Sequence, residues 1–388
     1  MYVKALVLYL LTWITSAYQQ DPDEGTSATG SSTYFPIKGN VYPIGTTYIV
    51  TIDIGSTEKS YILDVDTGSD VTWIQNSSIY DNPYVPKLEN IVSCDDPACI
   101  SLQGVLERNC DIICDYKVDY GDGSSFTGSL VRDSFHLTMR IGSWLAPNLT
   151  FGCGISIKDG YDTIHHSTTD GVLGLGKGKS GILNQLRNKG VINRNVVGHC
   201  LYRRGGGYLI LGEFDFGPMS WKQISSNEEH YSLGKANILL GNETTDIKNL
   251  SIIFDSGSSY TYLESRAYEA LFDLVNKTIN GSLIVADDDK ILSICWKDVV
   301  GPIQTFADVI NYFLPVALNF TDEVNNVQFE IPPESYLIIS DKQNVCLGML
   351  NGTEAGLEDV NLIGGISMQD KFVVYDNENN RVGWSNEC

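Results

Sequence analysis

Apolar and polar residues alternate along residues 47–54, 135–139 and 208–211, the period-two pattern of strands, and glycine-rich turns separate these runs. Tyr61-Ile62-Leu63-Asp64-Val65 and Ser251-Ile252-Ile253-Phe254 are apolar runs that also predict strands. Two segments switch to the helical period. Residues 180–189 carry apolar side chains at Ile182, Leu183 and Leu186, with Gly190 beyond as a candidate C-cap. Residues 265–277 place Tyr268, Leu271, Phe272 and Val275 on one stripe. Both stripes read as core packing. Residues 18–34, rich in Gln, Asp, Ser, Thr and Gly, predict a flexible linker, and the chain from Phe35 onward predicts a mostly β fold with a few short helices.

The two apolar runs lead into near-identical sequences, Asp66-Thr67-Gly68-Ser69 and Asp255-Ser256-Gly257-Ser258. One such tetrapeptide is weak, since Asp and Gly are ordinary turn residues at strand ends. A second repeated element, at matched spacing, is far more specific. Val172-Leu173-Gly174 lies as far beyond Asp66, to within one residue, as Leu362-Ile363-Gly364 lies beyond Asp255. A repeat of half the chain implies two homologous lobes facing each other across a cleft. We expect lobes at 35–222 and 223–388, with a boundary in the Asn-, Glu- and Ser-rich stretch between Gly217 and Tyr231.

Charge and the N-terminal residues narrow the setting. A net charge of −22 repels nucleic acid and anionic membranes, so binding to a polyanion is not expected. Residues 1–17 read as a secretory signal: Lys4, then an apolar stretch from Ala5 to Trp13, then Thr15-Ser16-Ala17. That stretch is too short for a membrane anchor, and the last residues carry no hydrophobic tail for a lipid anchor. Asn-x-[Ser/Thr] sequons begin at Asn76, Asn148, Asn242, Asn249, Asn276, Asn280, Asn319 and Asn351, and nine cysteines in an oxidising compartment predict disulfides. The expectation is a glycoprotein of the secretory pathway without a stable membrane anchor.

Taken together, the paired Asp-[Ser/Thr]-Gly-Ser, the Trp73 that follows the first motif, and Tyr120-Gly121-Asp122-Gly123-Ser124 resemble the pepsin-type aspartic proteases from Phe35 to Cys388. Within that family the best match is the plant nucellin-like and nepenthesin-like branch. Ile54-Gly55, residues 64–70 and 169–176, Val197-Gly198-His199-Cys200 and the Cys-rich stretch 94–114 carry it. The resemblance implies a bilobal β fold with Asp66 and Asp255 as a catalytic pair sharing one proton, since two carboxylates in contact cannot both ionise cheaply. It implies Asp255 as base and Asp66 as acid. Ser69 and Ser258 would bond the outer carboxylate oxygens, Thr67 and Ser256 would cross-link the two loops, and Gly68 and Gly257 would permit the tight turn. Tyr120 and Gly121 would form a flap over substrate, with Trp73 packed beneath it. It also implies polypeptide substrates, no cofactor, no metal and a monomer.

Other readings have less support. Gly174 to Ser180 lacks the first glycine of a phosphate loop, because Leu173 stands in its place, and His165-His166 has no further metal ligands around it and reads as a solvated loop. The clustered Cys94, Cys99, Cys110 and Cys114 would suggest zinc in the cytosol but disulfides in the secretory route. There is no Gly-x-Ser-x-Gly nucleophile elbow. The rival function is an inhibitor or binding protein on the same fold.

Two departures from the family pattern matter. The cysteines usual in the plant branch soon after the Trp are missing, and between the signal and Asp66 only Lys38 and Lys59 are basic, so autoinhibition by a basic N-terminal segment is not expected. The resemblance implies nested disulfides Cys94–Cys114 and Cys99–Cys110, then Cys295–Cys346 and Cys200–Cys388. Cys153 is left as a buried thiol, because Asn76 stands where its partner would be.

Overall fold

The computed structural model describes residues 31–39, 47–76, 82–102, 107–121, 123–158, 169–226, 230–279, 281–321 and 326–388. The expected signal, most of the linker, His165-His166, Asp122 and the sequon at Asn280 lie outside them. The fold is mostly β and two-lobed. Among the described residues a nine-stranded sheet forms the first half, eight- and four-stranded sheets form the second, and a six-stranded sheet is shared between the halves.

The long-range repeat has a direct structural cause. Lys59–Asp66 pairs in parallel with Gly171–Gly174, with Asp66 level with Gly174, and Leu250–Phe254 pairs in parallel with Asn361–Ile363. Each Asp loop therefore leaves its strand beside a second strand that is remote in sequence. The backbone bonds Leu175 N–H to Asp66 O at 2.7 Å and Gly365 N–H to Ser258 O at 2.7 Å fasten the two crossings. The glycine that ends each distant motif is required by close approach: a Cβ on Gly174 would run into the Val71 backbone, and one on Gly364 into the Tyr260 backbone.

The alternating runs at 47–54 and 135–139 bury one face as expected, whereas in 208–211 both faces are packed and Leu209, Ile210 and Leu211 are all buried. Val50, Ile52 and Ile54 from Ile49–Ile54 and Tyr61, Leu63 and Val65 from Lys59–Asp66 enter one core. The described residues include α-helices at Pro97–Ser101, Ile182–Asn188 and Ser265–Ile279. The second buries Ile182, Leu183 and Leu186, and Gly190 just past its end has φ +68°, the left-handed conformation that glycine adopts at low cost. The third presents Ala267, Leu271, Val275 and Ile279 to the core. Tyr268 and Phe272 flank this stripe half-buried, their rings stacked 6.2 Å apart, so the buried face is rotated from the expected one.

The shared sheet is the feature that position-by-position patterns did not reveal. Its order places Ser32–Ile37 beside Gly207–Gly212, then Val196–Leu201, then the late strands Phe372–Asp376 and Arg381–Ser385, then Ser220–Gln223. The first of these begins within the stretch expected to be linker, so Ser32, Thr33 and Tyr34 are strand residues; Ser32 and Thr33 are buried. The bond Cys200–Cys388 closes this sheet covalently.

The disulfides differ from the nested pattern in the first lobe. Cys94 bonds Cys110 and Cys99 bonds Cys114, while Cys295–Cys346 and Cys200–Cys388 are present. Burial accounts for the crossing. Cys99 on the inner face of the Pro97–Ser101 helix and Cys114 at the start of its strand both point into a cluster with Leu102, Tyr116 and Phe126. Cys94 and Cys110 stay at its half-exposed rim. Cys153 is a buried free thiol beside Asn76, and burial pushes it up to about 12, offset in part by the Asn76 side chain.

Candidate active site

The two Asp loops meet as near mirror images. Gly68 N–H donates to Asp66 Oδ1 at 2.7 Å and Ser69 Oγ donates to Asp66 Oδ2 at 2.5 Å. In the second loop Gly257 N–H donates to Asp255 Oδ1 at 2.9 Å and Ser258 Oγ donates to Asp255 Oδ2 at 2.6 Å. The two carboxyl groups lie close enough for the charge of Asp255 to raise Asp66. A Cβ on Gly68 would strike the Asp255 carboxylate, and one on Gly257 the Asp66 carboxylate. Glycine at these positions thus serves contact across the pair as well as the turn.

A reciprocal lock holds the loops together from below. Thr67 N–H donates to Ser256 Oγ at 3.1 Å and Ser256 N–H donates to Thr67 Oγ1 at 3.0 Å. Ser256 Oγ in turn donates a hydrogen bond to Val65 O at 2.7 Å. Every group in this lock is buried, so each bond is worth more than it would be in water.

Asp66 is buried, and its carboxyl is pushed up to about 8. Burial is the larger cause and the charge of Asp255 the next; the bonds from Ser69 and Gly68 offset part of the rise. Asp66 is therefore a carboxyl that keeps its proton well above the usual range. Asp64, two residues earlier, is raised to about 7 by burial and accepts bonds from Thr47 Oγ1 and Thr169 Oγ1.

The expected flap is a hairpin between Cys114–Asp119 and Ser124–Thr138. Tyr120 N–H closes it on Ser124 O at 2.8 Å, and Gly123 turns it with φ +77°. Trp73 Nε1 donates to Tyr120 Oη at 2.5 Å, and the Trp73 ring stacks on Phe126 at 4.1 Å. Trp73 and Tyr120 thus form one unit. Across the cleft, the flap glycine Gly121 comes so close to Leu357 that a Cβ there would lie 2.6 Å from Leu357 Cδ2.

Sequence reasoning gave no role to four side chains here. Phe126 falls in an alternating strand and reads as core, Leu357 sits in a turn that has no motif, and His199 and Tyr375 lie on strands that pair with each other although they are remote in sequence. Among the described residues, the two groupings of side chains able to ligate a metal each contain disulfide sulfurs, Cys99–Cys110–Cys114 and Asp289–Cys295–Cys346.

Comparison with known proteins gives concordant results. Residues 48–213 match the family described as Xylanase inhibitor N-terminal, and residues 224–386 match Xylanase inhibitor C-terminal. An aspartic proteinase of Oryza sativa subsp. japonica is 36% identical over 382 residues, covering 92% of this chain and 91% of that protein. Aspartic proteinase nepenthesin-1 of Nepenthes gracilis is 24% identical over 378 residues, covering 90% of this chain and 79% of that protein. The crystal structure of basic 7S globulin from soybean superposes with a TM-score of 0.72 at 16% identity, covering 92% of this chain and 96% of that one, a likeness of fold. With both halves matched in order and the aspartic motif standing once in each, the chain belongs to the pepsin-type plant aspartic protease family.

Proposed function

We propose that this protein is a secreted aspartic endopeptidase that hydrolyses peptide bonds at acidic pH, with lobes at 35–222 and 223–388. The observation that carries the reading is the complete pair: two facing carboxyls, each with its serine and glycine donors, over an intact Thr67–Ser256 lock. In this mechanism Asp255 takes a proton from a water molecule as its oxygen bonds the scissile carbonyl carbon, and Asp66 donates its proton to the carbonyl oxygen. Collapse of the tetrahedral adduct then breaks the C–N bond, with Asp255 giving the proton it took from water to the leaving amine and Asp66 regaining a proton from an adduct hydroxyl. The upward shift within the coupled pair supports one shared proton at acidic pH. Tyr120, Gly121 and Trp73 would close over the peptide and order it. The four disulfides and the signal-like N-terminal residues support passage through the secretory route to the apoplast or vacuole.

The family description as a xylanase inhibitor favours a second reading, a protease-like inhibitor or binding protein. Digestion of a peptide library across acidic and neutral pH separates the two. The endopeptidase should cleave best below neutrality, be blocked by a statine-type transition-state mimic, ignore chelators and serine or thiol reagents, and fall silent as Asp66→Asn or Asp255→Asn. Near-normal turnover by either purified variant overturns the assignment, and a folded wild type without cleavage favours the inhibitor.

A further inference from the structure

A third layer lies beneath the Thr67–Ser256 lock. Tyr375 stands on Phe372–Asp376 in the shared sheet, level with Val197, and its ring packs between Tyr231, 4.4 Å away, and His199, 5.6 Å away. Its hydroxyl lies 3.4 Å from Thr67 Oγ1, 3.3 Å from His199 Nε2 and 3.6 Å from Met368 Sδ. All four residues are buried, and Met368 closes the turn that follows the apolar-apolar-Gly of the second half. One hydroxyl therefore touches the Asp66 loop, the second half and the shared sheet at once.

The direction of these bonds follows from donor accounting. His199 Nδ1 is buried with no hydrogen-bond partner among the described residues. A bare imidazole nitrogen is cheaper there than a stranded N–H, which assigns the proton to Nε2. Nε2–H then donates to the Tyr375 oxygen, which also accepts from Thr67 Oγ1–H, while Tyr375 O–H donates to Met368 Sδ. Thr67 Oγ1 itself accepts Ser256 N–H, and its proton is shared between the Tyr375 oxygen and Phe254 O, each at 3.4 Å. Burial pushes His199 down to about 3, so the ring stays neutral and keeps this role across the acid range.

We propose that Tyr375, oriented by His199, is a positioning residue for the catalytic pair: its hydroxyl fixes Thr67 Oγ1 and thereby the placement of the Asp66 loop against the Asp255 loop. Each lock hydroxyl reaches the carbonyl just before the opposite Asp, Ser256 to Val65 O at 2.7 Å and Thr67 to Phe254 O at 3.4 Å, and Thr67 has in addition the contact with Tyr375 from outside the lock. Neither Tyr375 nor His199 touches substrate. This role rests on the proposed peptidase reading for its kinetic consequence, and on geometry alone for its effect on the pair.

The test uses the full-length protein as Tyr375→Phe, His199→Leu and His199→Gln, the last retaining a donor near the Nε2 position. Tyr375→Phe should lower kcat about 5- to 30-fold with KM within about twofold. His199→Leu should match it, His199→Gln should recover most of the loss, and the double variant Tyr375→Phe/His199→Leu should be no slower than Tyr375→Phe. A second readout needs no activity: carbon NMR of labelled aspartates follows the titration of the pair directly. A loosened lock separates the carboxyls and weakens their coupling, so Tyr375→Phe should lower the upper apparent pKa of the pair by about half a unit or more. The inference is overturned if Tyr375→Phe leaves both kcat and this titration unchanged, or if His199→Gln is as slow as His199→Leu. If the wild type cleaves no peptide, the peptidase reading fails by itself, and the titration alone decides: a shift upholds the positioning role and an unshifted pair overturns it.

Discussion

Replacing Asp66 by Asn should make the protein more resistant to unfolding as pH rises, while abolishing peptidase activity. The sign follows from the raised carboxyl. Folding moves Asp66 from 3.8 to about 8, so between those values the folded protein holds a proton that the unfolded chain has released. The stability this group contributes is complete below about pH 4, and it is lost progressively as pH rises toward 8, at up to about 1.4 kcal/mol per unit. At pH 6 the loss amounts to about 2 to 3 kcal/mol, and an amide, which cannot ionise, escapes it. With an unfolding entropy of about 2 cal/mol/K per residue over 388 residues, this corresponds to a Tm difference of about 2 to 4 °C. Asn also disturbs the bonds from Gly68 and Ser69, a cost that does not vary with pH, so the slope carries the signal and the offset does not. Scanning calorimetry of wild type and Asp66→Asn from about pH 4 to 7 measures it. Parallel Tm curves for the two proteins would refute the reasoning, because they would mean that folding leaves the affinity of Asp66 for its proton unchanged.

Other expectations rest on single contacts. Gly257→Ala drives a Cβ into the Asp66 carboxylate, so peptidase activity should fall at least about 100-fold while the far-ultraviolet circular dichroism stays native; activity within about threefold of wild type would contradict the contact. Tyr120→Phe removes the acceptor of the Trp73 indole, and a bond of about 1 kcal/mol predicts a fall in kcat/KM of about fivefold; unaltered kinetics would reduce Tyr120 to a hairpin residue. Peptide mapping without reduction should recover Cys94–Cys110 and Cys99–Cys114, with one thiol, Cys153, labelled only after denaturation. The Sγ atoms of Cys99 and Cys110 lie 3.7 Å apart, so a nested pairing is sterically close and its recovery would correct the assignment.

The site was legible in the sequence to the extent that its chemistry is local. Each Asp takes its donors from the next three residues, and the distant apolar-apolar-Gly announces the parallel neighbour that holds the loop open. The free Cys153 was also legible, because one missing cysteine explained one leftover. What escaped depends on which way a side chain faces. The pairing of four cysteines within 94–114 turns on which two reach the cluster around Tyr116, and spacing does not encode that. Tyr375 reads as one more strand residue until the shared sheet places it under Thr67. The rotation of the Ser265–Ile279 helix has a similar origin: Ala267 and Ile279 enlarge the buried stripe, and only the neighbouring strands decide between them and the aromatic pair Tyr268 and Phe272.

The shared sheet also fixes when the protein can begin to work. Val196–Leu201 takes Phe372–Asp376 as its neighbour, and Thr67 meets Tyr375 across 308 residues of sequence. During synthesis the first lobe can emerge with its Asp66 loop intact and yet lack both the opposing loop and the floor beneath it. If the protein is the peptidase proposed above, a nascent or prematurely ended chain should accordingly be inert, since the strand that completes the floor is among the later parts to leave the ribosome. On the proposed reading of a secreted peptidase, this ordering would delay destructive capacity until assembly is finished.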